Sequence, residues 1–194
     1  MSEYLLKKLA EEYYASRPNL EVSNSPLCIF FFACSGSGKS TTRRLLVDKL
    51  DATYVCNDEV RILLKKYPKA TEQGIELKAI VAEVVEKIFA LAPNKLVVFD
   101  NNIIQYYMHG DSYLNVANAN RRPVFIIGLE ATEEELANRI QVRGVDVAQI
   151  LSELPDQLRD YNKATKDIKP DWSMKQSGNI QELITKLQDI QAQK

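Results

Sequence analysis

Eight consecutive residues near the start of the chain carry the strongest chemical signal. Ala33, Cys34, Ser35, Gly36, Ser37, Gly38, Lys39 and Ser40 follow the pattern G-x-x-x-x-G-K-[ST], with alanine in the first glycine place. Gly36 and Gly38 permit positive φ, so successive N–H groups can curl inward as a nest around phosphate oxygens. A helix opening near Lys39 aims its free N–H groups and positive dipole end at the same anion. Lys39 adds a full charge within reach of β- and γ-phosphates. The Ser40 hydroxyl is placed to ligate magnesium, and Thr41 to reach an α-phosphate. Alanine at position 33 is tolerated wherever φ there is negative.

Three further groups have types and spacing suited to the same chemistry. Asp58 and Arg61 stand three apart in CNDEVR, so on a helix they share a face. Asp58 can accept the proton of an attacking hydroxyl while Arg61 holds an anionic group of the acceptor; a helix N-cap with an i,i+3 ion pair is the structural alternative. Asp100 ends the run KLVVFD, where a carboxylate can hold magnesium through water or simply cap a turn, and Asn101 and Asn102 follow it. Arg139 and Arg143, four apart, can close over transferring phosphates, although Arg139 can also pair with Glu135. His109, the one histidine, lies in a loop with Tyr106 and Tyr107 and is read as solvated. Cys34 sits in the loop itself, where a helix N-terminus and a lysine would lower its pKa and open it to oxidation or alkylation.

The elements that must position these residues can be read from periodicity. Leu27–Phe32, Thr53–Cys56, Lys95–Phe99, Val124–Leu129 and Trp172–Lys175 read as strands, the apolar ones suited to burial on both faces. Between them the pattern predicts a helix after the loop with an apolar face of Leu45, Leu46 and Leu50. It also predicts a helix from about Asp58, and a long one over residues 71–91 carrying Ile80, Val81, Val84, Val85, Ile88 and Phe89. Thr132 and Glu135 form a capping box for a helix running to Arg143 and stopped by Gly144. Residues 146–171 read as two short helices and a loop, and residues 180–190 as a closing helix. Strands alternating with helices imply an α/β fold with a parallel sheet covered on both faces. Residues 1–17 read as an amphipathic helix, joined by residues 17–26 to a domain at 27–194 with a lid around 139–160.

With 194 residues and 45% hydrophobic content, one core is expected and two are not. A net charge of -1 gives no global field favouring nucleic acid or an anionic membrane. Apolar runs fall short of the roughly 18 residues a membrane span needs, and the glutamates of the N-terminal stretch do not suit a signal peptide. Three cysteines, odd in number and without metal-ligand spacing, suit reduced thiols in a cytoplasmic protein.

In order and spacing, ACSGSGKST, NDEVR, VVFDNN and NRIQVR resemble the small P-loop kinases, most of all the polynucleotide-kinase, zeta-toxin and gluconate-kinase branch. The resemblance implies a three-layer P-loop NTPase fold with a five-stranded parallel sheet of order 2-3-1-4-5, an ATP site dependent on Mg2+, and an arginine-bearing lid. It implies Asp58 as the acceptor-activating base, Arg61 as its D-x-x-R partner, and Arg143 with Arg139 as the lid arginines. Ser40 in place of the glycine of Gly-Lys-Gly-Thr argues against nucleoside monophosphates as acceptors, and no basic run is present to track a nucleic-acid strand. The expected activity is transfer of the γ-phosphoryl of ATP to a hydroxyl of a small-molecule, sugar or nucleotide-like acceptor. An ATPase or nucleotide-dependent switch without an acceptor is the alternative.

Overall fold

Strand β1, Cys28–Ala33, is buried at every position because it lies in the middle of the sheet and has a helical layer on each side. The computed structural model describes residues 2–20, 25–104, 113–144, 146–175, 178 and 180–192. Four more strands, β2 (Thr53–Cys56), β3 (Val97–Asn102), β4 (Val124–Glu130) and β5 (Trp172–Lys175), complete a sheet of order β2-β3-β1-β4-β5. All four pairings are parallel. Alternation along β1 divides the core. Cys28, Phe30 and Phe32 face one layer, made by α1 (Ser2–Ala15), α3 (Asn57–Lys65), α4 (Pro68–Glu72), α5 (Leu77–Leu91) and the C-terminal end of α8 (Val147–Ala164). Ile29, Phe31 and Ala33 face the other, made by α2 (Lys39–Lys49) and α9 (Ile180–Ala192). Helices α6 (Tyr113–Ala119) and α7 (Glu133–Arg143) flank β4 in the chain. Phe30 stacks on Phe99 with ring centroids 4.5 Å apart, so truncating either ring would cost about 3–5 kcal/mol.

The architecture is the one expected, and several boundaries differ. The long helix predicted over 71–91 is two helices, because Gly74 adopts φ 73° after α4 and only α5 carries the apolar side. Residues 147–164 form one helix rather than two, with Pro155 inside it. Leu45 is exposed, and α2 packs through Leu46 and, just beyond its end, Leu50. Strand β3 starts later and ends later than predicted, so Asp100 lies within it rather than at its end. Its pairing with β1 breaks there. Phe30 lies opposite Phe99, but Phe31 lies opposite Asn102, which leaves Asp100 and Asn101 out of register with β1. Such an irregularity turns side chains away from the regular pleat.

The N-terminal helix is joined to the sheet by polar as well as apolar contacts. Leu9, Ala10 and Tyr13 are buried in the same cluster as Phe30 and Phe99. The Tyr13 hydroxyl accepts from the Cys56 N–H at 2.8 Å and donates to the Cys56 carbonyl at 3.2 Å. Cys56 ends the edge strand β2 and immediately precedes Asn57 and Asp58.

Candidate nucleotide site

The phosphate loop joins β1 to α2 with two left-handed glycines, Gly36 at φ 79° and Gly38 at φ 100°. Ala33, fully buried at the end of β1, is not one of the positive-φ positions, which explains how alanine fits there. Gly38 is the N-cap of α2, so the free N–H groups of that helix point into the loop. Lys39 Nζ donates to the Cys34 carbonyl at 2.8 Å across the loop. Ser37 is buried, and its hydroxyl has no hydrogen-bond partner. Ser40 and Thr41, in the first turn of α2, are exposed.

Lys39 is where the site residues meet electrostatically. Desolvation pulls its pKa below the ordinary lysine value, opposed by the charges of Asp100, Cys34 and Asp58, while Arg143 pushes the same way as burial. Asp58 occupies the first turn of α3, exposed, and is ion-paired with Arg61 one turn on. Its helix start is tied to the end of β3 by the Asn57 N–H, which donates to Asn101 Oδ1 at 3.1 Å. Asp100 is nearly buried, and its Oδ2 lies 3.3 Å from Arg43 Nε. Arg139 lies 3.9 Å from Glu135, the local pairing that its spacing allowed, while Arg143 is exposed at the end of α7. The Thr132–Glu135 capping box opens α7 and Gly144 closes it in the left-handed conformation, as the sequence predicts. His109, Tyr106 and Tyr107 lie outside the described residues.

Helices α7 and α8 rest on the loop. Gln157 of α8 accepts from the Ser35 N–H at 2.9 Å, and Leu136, Ile140 and Leu154 pack with Cys34. This packing overturns the expectation for Cys34. Burial pushes its thiol up to about 11, and the nearby Lys39 only partly opposes that. Cys28 and Cys56, in strands as expected, are raised to about 11 by burial as well.

A family match spans most of this architecture: residues 29–186 match the AAA domain. The chain belongs to that family. Among solved structures, that of APE1195 is similar at 16% identity and TM-score 0.53, covering 89% of this chain and 98% of its own. Shikimate kinase from Bacteroides thetaiotaomicron is similar at 15% identity and TM-score 0.52, covering 84% of this chain and 97% of its own. No curated protein matches the chain. At these identities the structural likeness bears on fold alone, a five-stranded parallel sheet of order β2-β3-β1-β4-β5 with helices on both faces. Among the described residues, no helix is long and apolar enough to cross a membrane.

Sequence reading missed Arg43, Glu59 and Gln157. Arg43 lies one helical turn beyond Lys39, and Glu59 follows Asp58 directly, so position relative to a motif was the available signal for both. Gln157 lies in a polar stretch where nothing marks it.

Proposed function

We propose that this AAA-domain chain is an ATP-dependent phosphotransferase acting on a hydroxyl of a small-molecule, sugar or nucleotide-like acceptor. The observation that carries the reading is the convergence of three strand ends at one lysine. Lys39 follows β1, Asp58 follows β2, Asp100 lies in β3, and both carboxylates act on the Lys39 ammonium. Ligands of open parallel sheets bind beyond the carboxyl ends of the strands; Lys39 and Asp58 lie beyond the ends of β1 and β2, and Asp100 lies two residues before the end of β3.

In this mechanism the loop N–H groups after Ser35, whose own N–H is held by Gln157, and the Lys39 ammonium hold the phosphates in line. The acceptor oxygen attacks the γ-phosphorus as the bond to the ADP oxygen breaks, and the hydroxyl proton passes to Asp58. Arg143, with Arg139, offsets charge on the transferring group. Arg61, now on Asp58, has a fork of donors suited to an anionic group of the acceptor. Ser40 and Asp100 would hold Mg2+, which when bound would supply positive charge to the nucleotide phosphates. One hydroxyl and one carboxylate fit an ion carried in with nucleotide. Among the described residues, no group of three or more His, Cys, Asp or Glu is placed to hold a free one. The kinase fold of a structural neighbour agrees with a transferase, and three free thiols agree with a cytoplasmic setting.

A switch or ATPase without an acceptor is the second reading, favoured by the ion pair that already occupies Asp58. Asp58→Asn separates the two. For a transferase, ATP affinity by calorimetry stays within about twofold while single-turnover transfer falls about 100-fold or more, the contribution of a positioned base. Acceptors are found by screening sugars, nucleosides and 5′-hydroxyl oligonucleotides. No phosphorylated product from any of them, with ATP hydrolysis unchanged in the variant, would favour the switch.

A further inference from the structure

A line of charged side chains connects the N-terminal segment to the centre of the sheet. Arg17 Nη1 lies 2.8 Å from Glu59 Oε2, Arg43 Nη1 lies 3.2 Å from Glu59 Oε1, and Arg43 Nε lies 3.3 Å from Asp100 Oδ2. Tyr54 holds the line together. Its ring lies against both guanidinium groups, 4.5 Å from that of Arg17 and 4.0 Å from that of Arg43, and its hydroxyl donates to Glu59 Oε1 at 2.9 Å. Arg17 also stacks on Tyr13 at 3.9 Å. The Arg17 side chain is 5% exposed, that of Arg43 9% and that of Asp100 4%, so solvent screens these three charges weakly, while Glu59 between the arginines is 32% exposed.

Arg43 is therefore shared by two carboxylates. Arg43 Nε and Asp100 Oδ2 are both buried, and neither has a hydrogen-bond partner, so their contact is one of charge without a bond to lock it. The more negative charge Glu59 has to spare, the more it holds Arg43 and the less Arg43 neutralises Asp100. Arg17 decides how much Glu59 has to spare.

We propose that Arg17, Glu59 and Arg43 are positioning residues that set the orientation and cation demand of Asp100, so that the N-terminal segment tunes the metal side of the nucleotide site. The inference rests on the reading of Asp100 as the magnesium carboxylate. It gives effects that alternate in sign along the line. Removing the Arg43 charge leaves Asp100 more attractive to a divalent cation. Neutralising Glu59 gives Arg43 wholly to Asp100 and makes it less attractive. Neutralising Arg17 leaves Glu59 free to draw Arg43 away, and Asp100 again becomes more attractive.

The test is the affinity of a fluorescent ATP analogue titrated across magnesium concentrations, with Tm measured beside it. Glu59→Gln should raise the magnesium concentration for half-maximal effect by about three- to tenfold, Arg43→Gln should lower it by about as much, and Arg17→Gln should lower it by a smaller factor. The Arg17→Gln, Glu59→Gln double variant should match Glu59→Gln alone, because Arg17 acts through Glu59. Lys87→Ala is the control. Lys87 pairs with Glu11 and lies 4.8 Å from the Tyr14 ring, so its loss loosens α1 without touching the line and should leave the midpoint unmoved. Should Arg43→Gln fail to fold, the opposite shifts of Glu59→Gln and Arg17→Gln decide the matter. Shifts of one sign that track loss of Tm, or no shift in a magnesium-dependent parent, overturn the proposal alone. A parent that binds nucleotide without regard to magnesium overturns the proposal together with the metal assignment of Asp100.

Discussion

Gly36 lies so close to Ile140 that a Cβ built on the glycine would come within 3.1 Å of Ile140 Cγ1, and within 3.0 Å of the Leu136 carbonyl oxygen. Two demands meet at one residue, the left-handed backbone of the phosphate loop and the close approach of α7. The loop and α7 are thus packed as one unit. Gly36→Ala should lower stability by about 1–3 kcal/mol, from strain at positive φ and displacement of α7. Nucleotide affinity should fall with it. Thermal unfolding beside calorimetric titration of ATP checks both.

Lys39→Met should separate binding from stability. A lysine whose folded pKa lies below its unfolded value destabilises the fold wherever it is protonated, and the cost fades as pH rises through the folded pKa toward 10.5. Replacing Lys39 removes that cost. At pH 7 the variant should melt higher than the parent, with the gain shrinking toward pH 10, while ATP affinity falls at least about tenfold through loss of the phosphate-facing charge. Melting curves over that pH range and one binding titration are sufficient. A variant that keeps its ATP affinity would remove the phosphate-loop assignment.

What the sequence made legible was set by local pattern. The unbroken apolar run of β1, the glycines at 36 and 38, and the Thr132–Glu135 box each act over a few residues, and each appears where the spacing put it. The register break at Asp100 and Asn101 depends on how β3 meets β1, so no window of sequence contains it. The same holds for Arg17 and Glu59, 42 positions apart and 2.8 Å apart in space. Cys34 shows a competition that sequence cannot weigh. Its neighbours argued for a low pKa, and the burial imposed by Leu136, Ile140 and Leu154 won.

The thiols should be inert in the folded protein. With Cys28, Cys34 and Cys56 pushed up to about 11 by burial, the reactive thiolate is scarce at neutral pH. Iodoacetamide at pH 7.5 should leave all three unmodified over a time in which urea-unfolded chain is fully labelled, as read by intact mass. Fast labelling of Cys34 in the native protein would contradict the packing of α7 and α8 on the loop.

Acid should act partly through Glu59. Burial alone would raise its pKa, but the Arg17 charge first, then hydrogen bonds from Tyr54 and Arg43, bring it below the ordinary 4.5. A depressed carboxylate contributes stability that is present above 4.5 and is lost as pH falls through its folded value. The urea midpoint of the parent should therefore drop below pH 4.5, and Glu59→Gln should show a lower midpoint at pH 7 with a shallower fall in acid. Parallel curves for the two proteins would remove Glu59 from the acid response.

The two hydrogen bonds between the Tyr13 hydroxyl and Cys56 have a consequence for association between molecules. Strand β2 is one of the two outer strands of the sheet, and an outer strand presents backbone donors and acceptors that can recruit a strand from another chain. By engaging both polar groups of Cys56, Tyr13 takes the end of that strand out of circulation, and α1 lies over α5 and α3 beside it. A chain trimmed to begin at Leu27 would regain a sticky border along with the apolar patch left by Leu9, Ala10 and Tyr13. Such a fragment should self-associate more than the full chain at equal concentration, as read by analytical ultracentrifugation.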